Sequence, residues 1–456
     1  MEQQTIAAIS TPHAIGGIGI VRLSGPDARQ IASVVFTPKS HRKSLLSAPG
    51  YTALYGRVKE QGQDLDDAIA LVFSAPRSYT GEDVVELSCH GGLYLMQRVL
   101  RAVLDAGAVP AQPGEFTKRA FLNGKLSLTQ AEGVMDLIAS QGEQAAKAAL
   151  SARDGALFHR IESVKQSLIT LSGHLSAWID FPEEDVPELS GQEISRTLES
   201  AVSELKALLD SYDVGQLAKN GVDTAIVGRP NVGKSTLMNL LSGREKSIVT
   251  DIPGTTRDIV EESVSIGDVV LHLYDTAGIR QTADPVEQVG VERARGKIES
   301  AQLILALFDS SQELTEEDKQ LMDSLKDKPC IAVVNKNDLE QKIDLSYLKQ
   351  RLPHLVSISA YQKTGVEELT KCIHEVLGMM NMDFGSGMLA NERQRGCAKR
   401  ALSCLEEVKS AHTLGITLDA VGVEVQSALE ALMELTGEQA SEAVIDEVFS
   451  QFCVGK

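Results

Sequence analysis

Between residues 157 and 178 apolar side chains return at every third or fourth position: Leu157, Ile161, Val164, Leu168, Leu171, Leu175 and Trp178. That spacing lays one continuous apolar stripe along a long helix. The helical pattern spans about Leu126 to Tyr212. It is broken by Phe181-Pro182-Glu183-Glu184-Asp185-Val186-Pro187, an acidic run that reads as a solvated loop. Upstream the period changes. Ile18-Gly19-Ile20-Val21-Arg22-Leu23, Ala68-Ile69-Ala70-Leu71-Val72-Phe73 and Asp83-Val84-Val85-Glu86-Leu87 predict strands, and Leu93 to Ala106 predicts a helix stopped by Gly107. Residues 1 to about 120 therefore predict an α+β domain. From about Gly221 to Leu377 strands and helices alternate, as in a doubly wound parallel sheet. A glycine-bearing break, Asp383-Phe384-Gly385-Ser386-Gly387, precedes further helix through Ala398–Ser410 and Val423–Leu435.

At 456 residues the chain has room for two to four domains. Its net charge of −19, from 44 basic and 63 acidic side chains, argues against a protein coated in nucleic acid. It leaves room for a local basic patch, or for RNA reached through a partner. No apolar run is long enough to span a bilayer, so no membrane association is expected. The start, Met1-Glu2-Gln3-Gln4, is unlike a signal peptide. Cysteines at 89, 330, 372, 397, 404 and 453 form no CxxC pair, which argues against a disulfide framework or zinc site and for a cytoplasmic location.

The octapeptide Gly228-Arg229-Pro230-Asn231-Val232-Gly233-Lys234-Ser235 follows a strand-like run, Thr224–Val227, and precedes a helix start, Thr236-Leu237-Met238-Asn239-Leu240-Leu241. This is the P-loop arrangement. Its backbone N–H groups can cradle phosphate oxygens at the helix N-terminus. Lys234 can reach the β- and γ-phosphates, and Ser235 can ligate Mg²⁺. A P-loop alone does not choose between ATP and GTP. Asn335-Lys336-Asn337-Asp338, after the apolar run Ile331–Val334, places Asp338 to accept from guanine N1 and the exocyclic amine, a donor pair that adenine lacks. Ser357-Ile358-Ser359-Ala360 is expected to support the base through backbone N–H groups. Asp275-Thr276-Ala277-Gly278 ends the strand Val269–Tyr274; Asp275 would hold the Mg²⁺ shell through water, and the Gly278 N–H would face the γ-phosphate. In Gly254-Thr255-Thr256-Arg257-Asp258, Thr256 is the candidate second hydroxyl ligand to Mg²⁺.

The expected GTP-contacting set is thus Asn231, Val232, Gly233, Lys234, Ser235 and Thr236, with Thr250, Asp251, Ile252, Pro253, Gly254, Thr255 and Thr256. It continues through Asp275, Thr276, Ala277, Gly278, Asn335, Lys336, Asp338, Ser359 and Ala360. Ile279 stands where Ras-like switches carry a water-orienting glutamine. The carboxylates Asp284, Glu287 and Glu292 are candidates to replace it, against their plainer reading as solvated charges. The expected fold class is multi-domain, α/β and α. An N-terminal α+β domain (1–120) is followed by a helical domain in two parts (121–219 and 380–456), with a Ras-like P-loop GTPase domain (220–379) inserted between them. Such insertion is tolerated because domain termini lie close together.

With these residues in hand, the chain closely resembles, over its whole length, the tRNA-modification GTPase family called MnmE or TrmE. The motifs that carry the resemblance begin with Gly19-Ile20-Val21-Arg22-Leu23-Ser24-Gly25, Thr80-Gly81-Glu82-Asp83-Val84-Val85-Glu86-Leu87 and His90-Gly91-Gly92. They continue with Pro113-Gly114-Glu115-Phe116-Thr117, Arg119-Ala120-Phe121-Leu122-Asn123-Gly124-Lys125 and the terminal Cys453-Val454-Gly455-Lys456. The resemblance implies potassium-stimulated GTP hydrolysis, a homodimer formed through the N-terminal domain, and G domains that approach each other with GTP bound. It also implies a heterotetramer with a flavin-dependent partner of the MnmG (GidA) type. That assembly adds an aminomethyl or carboxymethylaminomethyl group at carbon 5 of the wobble uridine of certain tRNAs. A tetrahydrofolate derivative, of the 5-formyl or 5,10-methylene type, supplies the carbon.

Residue by residue, the resemblance makes Asn231 a K⁺ ligand beside the phosphates, with Thr250, Ile252 and Thr255 completing the site mostly through backbone oxygens. A cation there would offset transition-state charge. Glu287 becomes the catalytic glutamate, acting through bridging water. Arg22, Glu86, Lys125 and Lys456 become folate-binding residues, and Cys453 a functional thiol. Read without the family, Arg22, Glu86 and Lys125 are surface ion-pairing groups and Cys453 is a packing residue. His90 reads as structural, Val454 replaces the usual isoleucine by one methylene less, and Pro253 stiffens its loop. The competing readings are a ribosome-assembly GTPase, a group that shares the octapeptide but usually carries a KH-like or second G domain, and a non-catalytic nucleotide-dependent scaffold.

Overall fold

Strand patterning in the N-terminal third builds a sheet of seven strands: Ile6–Ile9 (β1), Gly19–Ser24 (β2), Phe36–Pro38 (β3), Thr52–Glu60 (β4), Gln63–Phe73 (β5), Val84–Cys89 (β6) and Val109–Pro110 (β7). The order is β3-β4-β5-β6-β2-β1-β7, antiparallel throughout except for β1 with β7. The structure is a computed structural model and describes residues 4–40, 42–180, 191–243, 262–275, 299–380, 382–413 and 418–456. The expectations placed on Phe181–Pro187, on Thr250 to Thr256, on Thr276 to Gly278, and on Ile279, Asp284, Glu287 and Glu292 lie outside the described residues. The chain divides into two compact units, Met1–Met135 with Leu429–Lys456, and Asp136–Ala428.

In the first unit the expected strands correspond to β2, β5 and β6, with Ile18 and Asp83 lying one residue before their strands. β5 begins earlier than its apolar run because it pairs with β4 down to Glu60 and Gln63, across a turn whose Gln61 and Gly62 both take positive φ. Helices Ala28–Val35 and Leu93–Asp105 cover one face, burying Ile31, Val99 and Val103 against Val21, Leu23, Val72 and Leu87. The second helix stops at Gly107, whose φ of +116° suits glycine. Helix Glu442–Ser450 packs Val448 and Phe449, with Phe452 beyond it, against Leu128 and Ala131. Residues 429–456 thus cluster with the N-terminal sheet, while 382–413 belong to the second unit.

In the second unit the apolar stripe is buried as its spacing requires: Leu157, Ile161 and Leu168 are fully enclosed in helix Ala156–Asp180. Helix Gly191–Asp210 turns Leu198, Leu205 and Leu208 inward and lies along helix Glu392–Thr413. A six-stranded sheet holds Val222–Val227 (β8), Glu262–Ile266 (β9), Val269–Asp275 (β10), Leu303–Asp309 (β11), Cys330–Asn335 (β12) and Leu355–Ser357 (β13), in the order β13-β12-β11-β8-β10-β9. The expected all-parallel sheet is corrected at one edge. β9 runs antiparallel to β10 because only Gly267 and Asp268 join them, too few for a crossover. β11 and β12 are buried at every position, as strands covered on both faces must be. Side chains alternate to opposite cores, Val222 and Ile226 toward helices Lys234–Ser242 and Val366–Val376, Ala225 and Val227 toward helices Glu316–Leu325 and Leu345–Arg351.

Candidate functional site

The carboxyl ends of β8 and β12 open onto one cavity of about 750 Å³, the position where open α/β sheets bind ligands. From β8 the chain turns through Gly228 to Gly233 into helix Lys234–Ser242. Two glycines are obligatory here. Gly228 has φ +148° and its added Cβ would stand 2.6 Å from the Leu307 carbonyl oxygen; Gly233 has φ +104° and its Cβ would stand 2.2 Å from Asn335 Nδ2. Asn231 between them also takes positive φ, at +66°. Asn231, Gly233, Lys234, Ser235 and Thr236 line one side of the cavity. The N–H groups of the helix start have no intrahelical acceptors, and with the helix dipole they favour an anion there. Lys234 Nζ donates to the Gly228 and Arg229 carbonyls at 2.7 and 3.0 Å, which holds its charge over the loop. The loop fits a polyphosphate: glycines where side chains would collide, and a lysine at the helix start.

The other side is built by Asn335, Lys336, Asp338, Leu339 and Tyr361. Asn335 is buried; its Nδ2 donates to the Val232 carbonyl at 2.9 Å and its Oδ1 accepts from the Ala360 N–H at 2.9 Å. Ser359, also buried, donates through Oγ to Asp338 Oδ1 at 2.5 Å, leaving the rest of that exposed carboxylate toward the cavity. The backbone N–H groups of Ser359 and Ala360, expected to support a base, are bonded within the protein. The Ser359 N–H goes to the Thr364 carbonyl at 3.2 Å and the Ala360 N–H to Asn335, so both hold the loop itself. Val232 is buried and acts through its carbonyl. Lys336, at φ +64°, spans from the Asn231 carbonyl (2.9 Å) to Asp309 (2.6 Å). Burial alone would raise the Asp309 carboxyl, but hydrogen bonds from Lys336 and Ser311 outweigh it and hold Asp309 below the ordinary carboxylate value.

Sequence reading missed several supports. Arg229 Nε pairs at 2.9 Å with Asp318, a buried carboxylate whose other oxygen closes a capping box with Thr315 at the start of helix Glu316–Leu325. Leu339 and Tyr361, exposed yet lining the cavity, present apolar surface to the same cavity as Asp338. Their signal was available: each directly follows a nucleotide motif, and neither belongs to an apolar period. For Asp275 the structure gives its place at the end of β10, opposite Ile226 of β8.

A second cluster lies in the first unit. Arg22 of β2 and Glu86 of β6 are cross-strand partners, and Arg22 Nε meets Glu86 Oε1 at 2.8 Å. The guanidinium also lies over the rings of Phe116 (5.5 Å) and Tyr79 (5.8 Å). The C-terminal tail docks beside it: Val454 bridges to Pro113, the Phe116 N–H donates to the Lys456 carbonyl at 3.2 Å, and the Gly455 carbonyl accepts from Ser10 Oγ at 3.0 Å and Arg22 at 3.4 Å. Lys456 is half-buried. Its ammonium is pushed below the ordinary lysine value first by burial and then by the Arg22 charge, with Glu86 acting the other way. Arg22 and Glu86 thus pair directly and the Lys456 ammonium is near enough to feel both charges, while Lys125 donates from Nζ to the Pro76 carbonyl at 3.1 Å. One carboxylate and two cations under an aromatic shelf fit a planar ligand that carries both donors and an acid group. Cys453 is exposed, which overturns its reading as a packing residue. His90 braces Asp66 through its backbone N–H (2.8 Å) and Nδ1 (2.7 Å).

Two family models match, the MnmE helical domain over residues 128–453 and the GTP-binding protein TrmE N-terminus over residues 5–125. Among curated relatives, a tRNA modification GTPase MnmE from Natranaerobius thermophilus is 39% identical, covering 100% of both chains. Its counterpart from Lactobacillus acidophilus is 41% identical over 100% of this chain and 99% of its own. A solved structure, the FeoB G-domain from Methanococcus jannaschii, is 26% identical over 34% of this chain and 96% of that one, at a TM-score of 0.26, too low to argue from.

Proposed function

The chain belongs to the family of tRNA modification GTPases called MnmE, and from that premise we propose that it is a potassium-stimulated GTP hydrolase acting in tRNA modification. The observation that carries the nucleotide reading is the single cavity that faces both the Gly228–Gly233 loop and Asp338. The loop glycines, the helix start and Lys234 would stabilise charge on the phosphate oxygens, and Asp338, held by Ser359, would accept from the guanine edge. Ser235 and Thr256 would ligate Mg²⁺, with Asp275 behind it. Asn231, Thr250, Ile252 and Thr255 would hold K⁺, supplying the positive charge that an arginine supplies in other GTPases. Glu287 would act through water on the attacking nucleophile, the task that Ile279 cannot perform. Asp251, Pro253, Gly254, Thr276, Ala277 and Gly278 would complete the nucleotide contacts.

In the same reading, Arg22, Glu86, Lys125 and Lys456 bind a tetrahydrofolate derivative that provides the one-carbon unit. Cys453 is a functional thiol of the C-terminal tail. The chain acts as a homodimer and, with a flavin-dependent partner of the MnmG type, modifies the wobble uridine of certain tRNAs in the cytoplasm. The segments 1–120, 121–219, 220–379 and 380–456 are its functional divisions. Among the described residues no helix is long and apolar enough to cross a membrane.

Nucleoside analysis of tRNA from a strain lacking this chain tests the reading. Supplying the chain should restore the modified wobble uridine; an unchanged profile overturns it. Turnover measured in K⁺ and in Na⁺ tests the cation reading, with a several-fold excess expected in K⁺. Equal rates would remove the Asn231 site.

A further inference from the structure

In a chain of net charge −19, residues 39 to 43 carry Lys39, Arg42 and Lys43. The segment projects from the edge of the first sheet. It leaves β3, the terminal strand, and returns to the core at Leu45; Phe36 and Leu45, both almost fully buried, anchor its two ends. On either side of residue 41, the Lys39 N–H donates to the Tyr55 carbonyl and the Lys43 N–H to the Ser40 carbonyl, each at 3.0 Å. All three cations are exposed. Elsewhere in this unit Arg22, Arg57 and Lys59 of the sheet and Arg29 and Arg98 of the covering helices sit against carboxylates. Among the described residues Lys39, Arg42 and Lys43 have no acidic partner.

Acids on β5, the strand next to β4, are already engaged. Arg57, the cross-strand neighbour of Thr37, pairs with both Asp64 and Asp67. Two of these charges, Lys39 and Lys43, line a concave site of about 330 Å³ together with Pro38, Ser40, Leu54 and Tyr55. Lys39 Nζ lies 5.4 Å from the centre of the half-exposed Tyr55 ring. Cations held without counter-charges, a hydroxyl and an aromatic face in one hollow are the components that bind a nucleic-acid strand. The cations take phosphates, and the ring stacks on a base or packs against a sugar. Keeping three like charges together costs repulsion that a polyanion relieves.

We propose that the hollow formed by Lys39, Ser40, Lys43 and Tyr55, with Arg42 beside it, is a contact surface for the phosphate backbone of tRNA. The inference rests on the tRNA reading above and assigns it a place on this chain, remote in sequence from the nucleotide loop. Contact is to backbone and shape, so it serves many tRNAs alike, and base discrimination lies elsewhere.

The test uses the full chain carrying Lys39→Ala, Arg42→Ala and Lys43→Ala together, with unmodified tRNA bound in solution over a salt series. Neutralising three phosphate contacts should weaken binding at low salt by on the order of tenfold or more and make the log–log salt slope shallower by about 2 to 3. GTP turnover without tRNA and the melting temperature should stay at wild-type values. Lys39→Arg with Lys43→Arg should retain affinity. Equal tRNA affinity and equal slope in the alanine variant, with the wild type binding, overturn this inference alone. Wild-type chain that binds no tRNA overturns the functional reading with it. Loss of affinity for a polyglutamylated folate, with tRNA affinity intact, overturns the proposal by assigning the hollow to an anionic cofactor tail.

Discussion

Asn335 Nδ2 and the Val232 carbonyl, 2.9 Å apart and both buried, tie the loop that faces the phosphates to the loop that faces the base. The same amide receives the Ala360 N–H through Oδ1. Asn335→Ala leaves one buried acceptor and one buried donor unpaired, a cost of about 1–3 kcal/mol for each group. The variant should melt several degrees lower and bind GTP and GDP at least about tenfold more weakly. Titration calorimetry beside a thermal scan checks this; wild-type nucleotide affinity would show that the two loops hold their places independently.

Asp338 is exposed to the cavity and fixed by Ser359. Asp338→Asn replaces an acceptor by an amide that turns a donor toward a donor on guanine. GTP affinity should fall at least about 100-fold, and xanthosine triphosphate, with a carbonyl where guanine has its amine, should bind relatively better. Competition binding with both triphosphates measures the switch. An unchanged preference for GTP would remove Asp338 from base recognition.

Gly455 holds φ +96° in the docked tail, and an added Cβ would stand 2.4 Å from the Ile9 carbonyl oxygen. Gly455→Ala therefore strains the backbone by about 1–2 kcal/mol before the collision is counted. The expected result is displacement of Lys456 from Arg22 and Glu86, with tetrahydrofolate affinity reduced at least about tenfold and GTP turnover unaltered. If folate binding is untouched, the tail plays no part in it.

Asp309 contributes a pH dependence whose sign follows from its lowered pKa. Its native carboxylate is favoured over the unfolded one, so the contribution is complete above the ordinary value of 3.8 and is lost as pH falls through the lower native value. Asp309→Asn should flatten the acid limb of stability, as should Lys336→Met, which removes the 2.6 Å partner. Urea midpoints taken between about pH 5 and pH 2 give the comparison. Parallel acid limbs in wild type and variants would mean that other carboxylates dominate that window.

Much of the architecture was legible because period and punctuation are local. The three-and-four spacing from Leu157 to Leu175 requires a buried helix face, and the structure encloses those side chains. The octapeptide names its own strand, turn and helix, since Gly228 and Gly233 sit where a side chain would collide. The edge of the second sheet was not legible in the same way. An apolar run announces a strand, and only the two-residue link at Gly267 and Asp268 makes β9 antiparallel to β10.

The sequence by itself determined the fold class, the nucleotide motifs and their order, because each rests on residues a few positions apart. Only the tertiary structure decided which distant groups meet. The hydrogen bonds of Ser359 and Ala360 turn inward because Thr364 and Asn335 lie within reach. The Gly455 carbonyl of the tail meets Arg22, itself paired with Glu86, because β2 pairs with β6 in that register and the tail bridges to Pro113. Lys39, Arg42 and Lys43 follow the edge strand β3, and among the described residues no carboxylate pairs with them. Contacts across such separations depend on strand order and register, which no local spacing encodes.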